Sequence, residues 1–89
     1  MTCVCYGADT YEGCTQPLKI CATVDEAKAW WAEQHRLLHQ QESSQGWHDI
    51  FCIAEFADTG VVYYYERQGN RLARGHTKEW RISETKEPT

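Results

Sequence analysis

The chain has 89 residues, a formal net charge of −4 at neutral pH, 12% aromatic residues and five cysteines, a length that supports one domain around one modest core. Only 14 of its residues are Leu, Ile, Val or Phe, so four Trp and five Tyr have to supply the missing apolar bulk. No run approaches the roughly 18 apolar residues of a membrane span and no charged-then-apolar leader opens the chain, so a cytoplasmic protein with reduced thiols is expected.

Thr2 to Tyr6 alternates as a strand does, with Cys3 and Cys5 on one face and Val4 and Tyr6 on the other. Gly7 to Pro17 is rich in turn formers, and Leu18 to Ala22 reads as a short second strand. The segment from Thr23 to Gln41 is predicted to be a helix. Thr23 and Glu26 form a T-x-x-E capping box, in which the hydroxyl accepts from the Glu26 amide and the carboxylate reaches back to Thr23. At about 100° per residue, Ala27, Trp30, Trp31, Gln34, Leu37 and Leu38 fall in one stripe, and Asp25, Ala29, Glu33 and Arg36 lie opposite. His35 and His39 flank the stripe, one turn apart, and Glu42 to Gly46 is a polar exit loop.

His48 to Phe56 is the strongest strand, apolar on both sides, as a central strand covered on two faces would be. Asp58-Thr59-Gly60 suits a three-residue hairpin loop with Gly60 in the left-handed conformation. That loop pairs Ala57 with Val61, Ala54 with Tyr64 and Ile53 with Tyr65. Val61 to Arg67 is the next strand. Gly69-Asn70 reads as a two-residue turn placing Glu66 opposite Ala73 and Tyr65 opposite Arg74. Trp80 and Ile82 mark a further strand segment, and 83–89 reads as a flexible tail. The expected fold is therefore α+β: one domain over residues 1–82, with four or five antiparallel or mixed strands and one long helix on one face. The element order is β-β-α-β-β, with a further strand at the end.

This register sorts the strands into two faces. Ile50, Cys52, Ala54, Phe56, Val62, Tyr64, Ala73 and Gly75 share one, and its small residues leave room for Trp30 and Trp31, so the helix is placed there. Phe51, Ile53, Glu55, Tyr63, Tyr65, Arg67, Leu72, Arg74 and His76 share the other. One helix cannot cover both, and the second face is too aromatic for idle surface. Phe51, Ile53, Tyr63, Tyr65, Arg67, Leu72, Arg74 and His76 are accordingly the expected protein-interaction residues, for a protein partner or a homodimer.

Charge is uneven: residues 1–66 carry 3 basic and 10 acidic side chains, net −7, against 6 and 3, net +3, in residues 67–89. An acidic body disfavours nucleic acid as the main ligand and suits a basic protein partner. Cys3, Cys5, Cys14 and Cys21 are the donors a zinc site would draw on, but C-x-C followed by lone cysteines lacks the C-x-x-C knuckle, so the expectation is packing thiols and no metal. His35 and His39 have i, i+4 ligand spacing without the glutamate of H-E-x-x-H. No phosphate-cradling glycine loop, nucleophile elbow or paired-carboxylate motif appears. A non-enzymatic protein without a cofactor is expected, with a cysteine zinc domain and a small cysteine–histidine enzyme as alternatives.

Tyr11-Glu12-Gly13, then Leu18-Lys19-Ile20-Cys21-Ala22-Thr23, then Asp25-Glu26-Ala27-Lys28-Ala29-Trp30 resemble a pattern found in short phage and bacterial proteins. There a strand, a Y-E-G turn and a second strand lead into a helix opening T-x-E-E-A. The resemblance covers about residues 2–40 and is structural. Proteins of this size and architecture include phage accessory proteins and small inhibitors of host defence, anti-CRISPR proteins among them. By that analogy the chain is expected to act by occupying the surface of a host protein.

Overall fold

The structure, a computed structural model, describes residues 2–9, 13–14, 16–69 and 79–84. The order of elements is β1 (Thr2–Asp9), β2 (Gly13–Cys14), β3 (Lys19–Cys21), α1 (Val24–His39), β4 (Ile50–Ala57), β5 (Gly60–Gln68) and β6 (Arg81–Glu84). All strand pairings are antiparallel, and the order across the sheet is β2-β1-β4-β5-β6. β3 shares the outer edge of β1 with β2, lying at the opposite end of that strand. Among the described residues six strands thus fill five positions, with α1 packed on one face: the α+β architecture read from the sequence.

The helix begins as its cap residues dictate. Thr23 is extended and its hydroxyl accepts from the Glu26 amide at 3.2 Å. The Glu26 carboxylate accepts from the Ala22 amide at 3.1 Å, one residue before the expected Thr23, and so ties the helix start to the end of β3. The helix ends in a Schellman arrangement: the Gln41 amide donates to Leu38 O and the Glu42 amide to Leu37 O, with Gln41 at φ 60°. Trp31 is the central knob. It is fully buried, its ring stacks on Phe51 at 4.2 Å between centroids and 8° between planes, and its indole N–H donates to the Cys52 carbonyl at 3.1 Å.

That stack corrects the face assignment made from sequence. The helix lies on the Phe51 and Ile53 side of β4, not on the Ile50, Cys52, Ala54 and Phe56 side. The core there is Cys3, Cys5, Cys21, Ala27, Trp31, Phe51, Ile53 and Tyr65. β4 is apolar on both sides, so its own pattern leaves the choice open, and β1 decides it. Pairing sets Cys3, Cys5 and Gly7 beside Glu55, Ile53 and Phe51. These small residues of β1, together with Ala27, clear the space that the two tryptophans fill.

Two registers also differ. Ala57 pairs with Gly60 and Phe56 with Val61, and a bulge between Glu55 and Phe56 then restores Glu55↔Tyr63, Ala54↔Tyr64 and Ile53↔Tyr65. The turn is one residue tighter than expected and the bulge absorbs the difference, so the central pairs stand as read. Beyond Gln68, the pairing of Glu66 with Ala73 and Tyr65 with Arg74 is replaced by Glu66↔Arg81 and Tyr65↔Ile82. Trp80 anchors this arrangement. Its side chain packs against the core and its ring takes the Arg67 guanidinium at 6.0 Å. Ser83 and Glu84, expected in the tail, pair with Tyr64 and Tyr63 in β6. Residues 85–89 lie outside the described residues.

Candidate functional site

Register and burial together define what each sheet face presents. On the inner face, under α1, the cross-strand rows are Cys21–Cys3–Glu55–Tyr63 and Lys19–Cys5–Ile53–Tyr65–Ile82. Phe51 and Ile53 are fully buried and Tyr65 is nearly so. Of the five expected interaction residues that are described, three, Phe51, Ile53 and Tyr65, are therefore core residues. Phe51 and Ile53 offer no surface to a partner, Tyr63 packs against the core, and the Arg67 guanidinium lies over the Phe51 ring at 5.3 Å. Burial lowers the pKa of that Arg67 group. Leu72, Arg74 and His76 lie outside the described residues, as do Ala73, Gly75, Tyr11 and Glu12.

The outer face carries the row Ile20–Val4–Ala54–Tyr64, spanning β3, β1, β4 and β5. A second row joins Thr2, Phe56 and Val61, and a third joins Tyr6, Cys52 and Glu66. Val4, Tyr6, Phe56, Val61 and Tyr64 are half-buried and Ile20 is 66% exposed. This apolar surface is the one sequence reasoning assigned to the helix. The signal that identifies it is the alternation in β1, where the small residues mark the inner side.

The cysteines gather at the start of α1. Cys3, Cys5 and Cys21 face the helix from adjacent strands, and the Cys5 thiol points to the Ala27 carbonyl at 3.9 Å. Burial raises the Cys3 and Cys5 pKa values, with Glu55 adding to the effect at Cys3 and the Cys21 thiol adding to it at Cys5. Burial among core side chains keeps the Cys3 and Cys5 thiols protonated at neutral pH. The Cys14 side chain lies outside the described residues. Among the described residues no group of three or more His, Cys, Asp or Glu side chains is placed to hold a metal ion.

A polar node closes the other end of the inner face. His48 is 1% exposed, with Nδ1 3.0 Å from Asp9 Oδ2 and Nε2 3.3 Å from Gln45 Oε1. Asp9 Oδ1 accepts from the Asp49 amide, so one carboxylate at the end of β1 fixes the loop entering β4. The imidazole stacks on Trp47 at 3.8 Å and lies against Gly7, where any Cβ would overlap its ring. Gln34, the polar residue within the apolar stripe of α1, accepts from the Gln45 amide at 2.9 Å and holds the same loop to the helix. Sequence spacing pairs neither side chain, because Asp9 is 39 residues from His48 and Gln45 is 11 from Gln34.

On the flank of α1, His35 and His39 bring their Nε2 atoms to 3.2 Å of one another. Arg36, on the opposite side, pairs with Glu33 and also donates to Gln40 Oε1.

No known protein family, curated protein or solved structure matches the chain. Among the described residues no helix is long and apolar enough to cross a membrane.

Proposed function

We propose that the protein is a small binding module that docks a protein partner on the outer face of its sheet. The observation that carries this reading is the apolar surface that Ile20, Val4, Tyr64 and Phe56 present around the buried Ala54, on the side of the sheet opposite α1. A contiguous apolar patch presented by a rigid sheet has the composition of an interface core. The acidic balance of residues 1–66 favours a partner whose contact surface is basic at its rim. Fold-level analogy with small phage inhibitors suggests the mode of action: occlusion of a working surface on a host protein, without chemistry of its own.

Capture from host lysate tests the proposal, with the double variant Ile20→Glu, Tyr64→Ser as control. Both positions are in contact with solvent, so the variant is expected to fold with an unchanged far-ultraviolet spectrum and to lose a partner that the wild type retains. Equal retention of that partner by both proteins overturns the proposal. Self-association through the same face predicts a wild-type dimer and a monomeric variant in sedimentation.

A further inference from the structure

His35 and His39 are not used by the docking face, and their geometry has a second meaning. Their rings lie 4.6 Å apart at 58°, with Nε2 facing Nε2 at 3.2 Å. In the protein alone, one nitrogen donates its proton to the lone pair of the other, which requires one ring in each tautomer. The same separation is close to the bite of a chelate. Two imidazole nitrogens about 2.0–2.1 Å from a tetrahedral Zn2+ lie roughly 3.3–3.4 Å from each other. For both lone pairs to meet at one point, the exposed His39 ring has to turn out of its hydrogen bond to His35. His35 is already braced, because its ring meets the buried Phe51 edge-on at 5.6 Å and 78°. The pair also sits in the last turns of α1, where the negative end of the macrodipole favours a cation, and the nearby Arg36 charge is paired with Glu33.

We infer that His35 and His39 form a two-histidine chelate for a borderline first-row divalent cation, Zn2+ or Ni2+, bound through both Nε2 atoms with water in the remaining positions. Imidazole nitrogens select such ions over Mg2+ and Ca2+, which take oxygen ligands. On binding, the donor ring moves its proton from Nε2 to Nδ1, so both Nε2 lone pairs face the metal and a neutral pair loses no proton.

Calorimetric titration of untagged, fully reduced protein with Ni2+ tests the site. One equivalent is expected to bind, with His39→Ala lowering the affinity by roughly a hundredfold, the gain that comes from holding a second ligand in place. His39 is exposed, so this variant keeps the fold. Unchanged affinity in His39→Ala, or no saturable binding by the wild type, overturns the inference. Cobalt substitution supplies an independent readout. Weak visible bands without a thiolate charge-transfer band are expected, and an intense near-ultraviolet band would place the ion on the cysteines and overturn the assignment.

Discussion

On the inner face of the sheet Cys3, Cys5, Phe51 and Ile53 are sealed from solvent, whereas on the outer face Val4, Phe56 and Tyr64 keep part of their surface in water. Both faces of β4 are built from apolar residues of similar size, so hydrophobicity alone does not separate them. What separates them is fit. The inner face is stepped, with Cys3, Cys5 and Gly7 low on β1 and Phe51 high on β4, and Trp31 fills the step. The outer face alternates the other way and leaves its larger side chains standing. Burial follows the ability to interdigitate, because close packing collects dispersion contacts that a flat apolar surface cannot.

The largest test of this contrast is Trp31→Ala. Removing the buried indole takes away the Phe51 stack and the hydrogen bond to Cys52 O, and the expected loss is about 3–5 kcal/mol in chemical denaturation. The next step down is at the polar end of the inner face. Asp9→Ala strips an acceptor from the buried His48 ring and from the Asp49 amide, and roughly 1–3 kcal/mol of destabilisation is expected in the same assay.

The inner face also carries a pH signature. Burial, and then the hydrogen bond it donates to Glu55, pushes the Tyr65 phenol up to about 12. Phenols of the unfolded chain ionise near 10 while the folded one holds its proton. The Tyr65 contribution to stability is therefore full below about pH 10 and declines as pH rises towards about 12. Denaturation midpoints measured across that window should fall, and Tyr65→Phe should make the decline shallower. Cys3 and Cys5 are raised in the same sense from thiols that ionise near 9, so their contribution begins to fall about one pH unit before that of Tyr65. An outer-face change is expected to cost less: Tyr64→Ala, at a half-buried position, should shift stability by about 1 kcal/mol or less. A Tyr64 effect as large as that of Trp31 would erase the distinction between the faces. The smallest effect belongs to the helix exit, where Gln41→Gly relieves a left-handed backbone and should raise stability by about 0.5–1 kcal/mol, seen as a higher melting temperature.

Of the candidate functional residues, the sequence exposed the i, i+4 histidine pair and the aromatic character of the sheet. It did not show that the two Nε2 atoms converge, which depends on side-chain rotamers, or that His48 finds Asp9, which depends on the pairing of β1 with β4. Three of its expected interaction residues, Phe51, Ile53 and Tyr65, are instead core, covered by α1. The amphipathic signal that sorted α1 is periodic and one-sided, whereas β4 is two-sided and carries no such signal.

By itself the sequence determined the local matters. It placed the capped helix from Thr23, the hairpin of β4 and β5 with Ile53 opposite Tyr65, and the shared face of Cys3 and Cys5, because each follows from the spacing of residues close in the chain. Tertiary structure alone decided which sheet face the helix covers and that β5 pairs with Arg81–Glu84 rather than with Ala73 and Arg74. Those choices are competitions between distant segments of similar hydrophobicity. They are settled by shape, Trp31 fitting over Phe51 beside the small residues of β1 and Trp80 closing against the core, and shape of that kind exists only once the chain has folded.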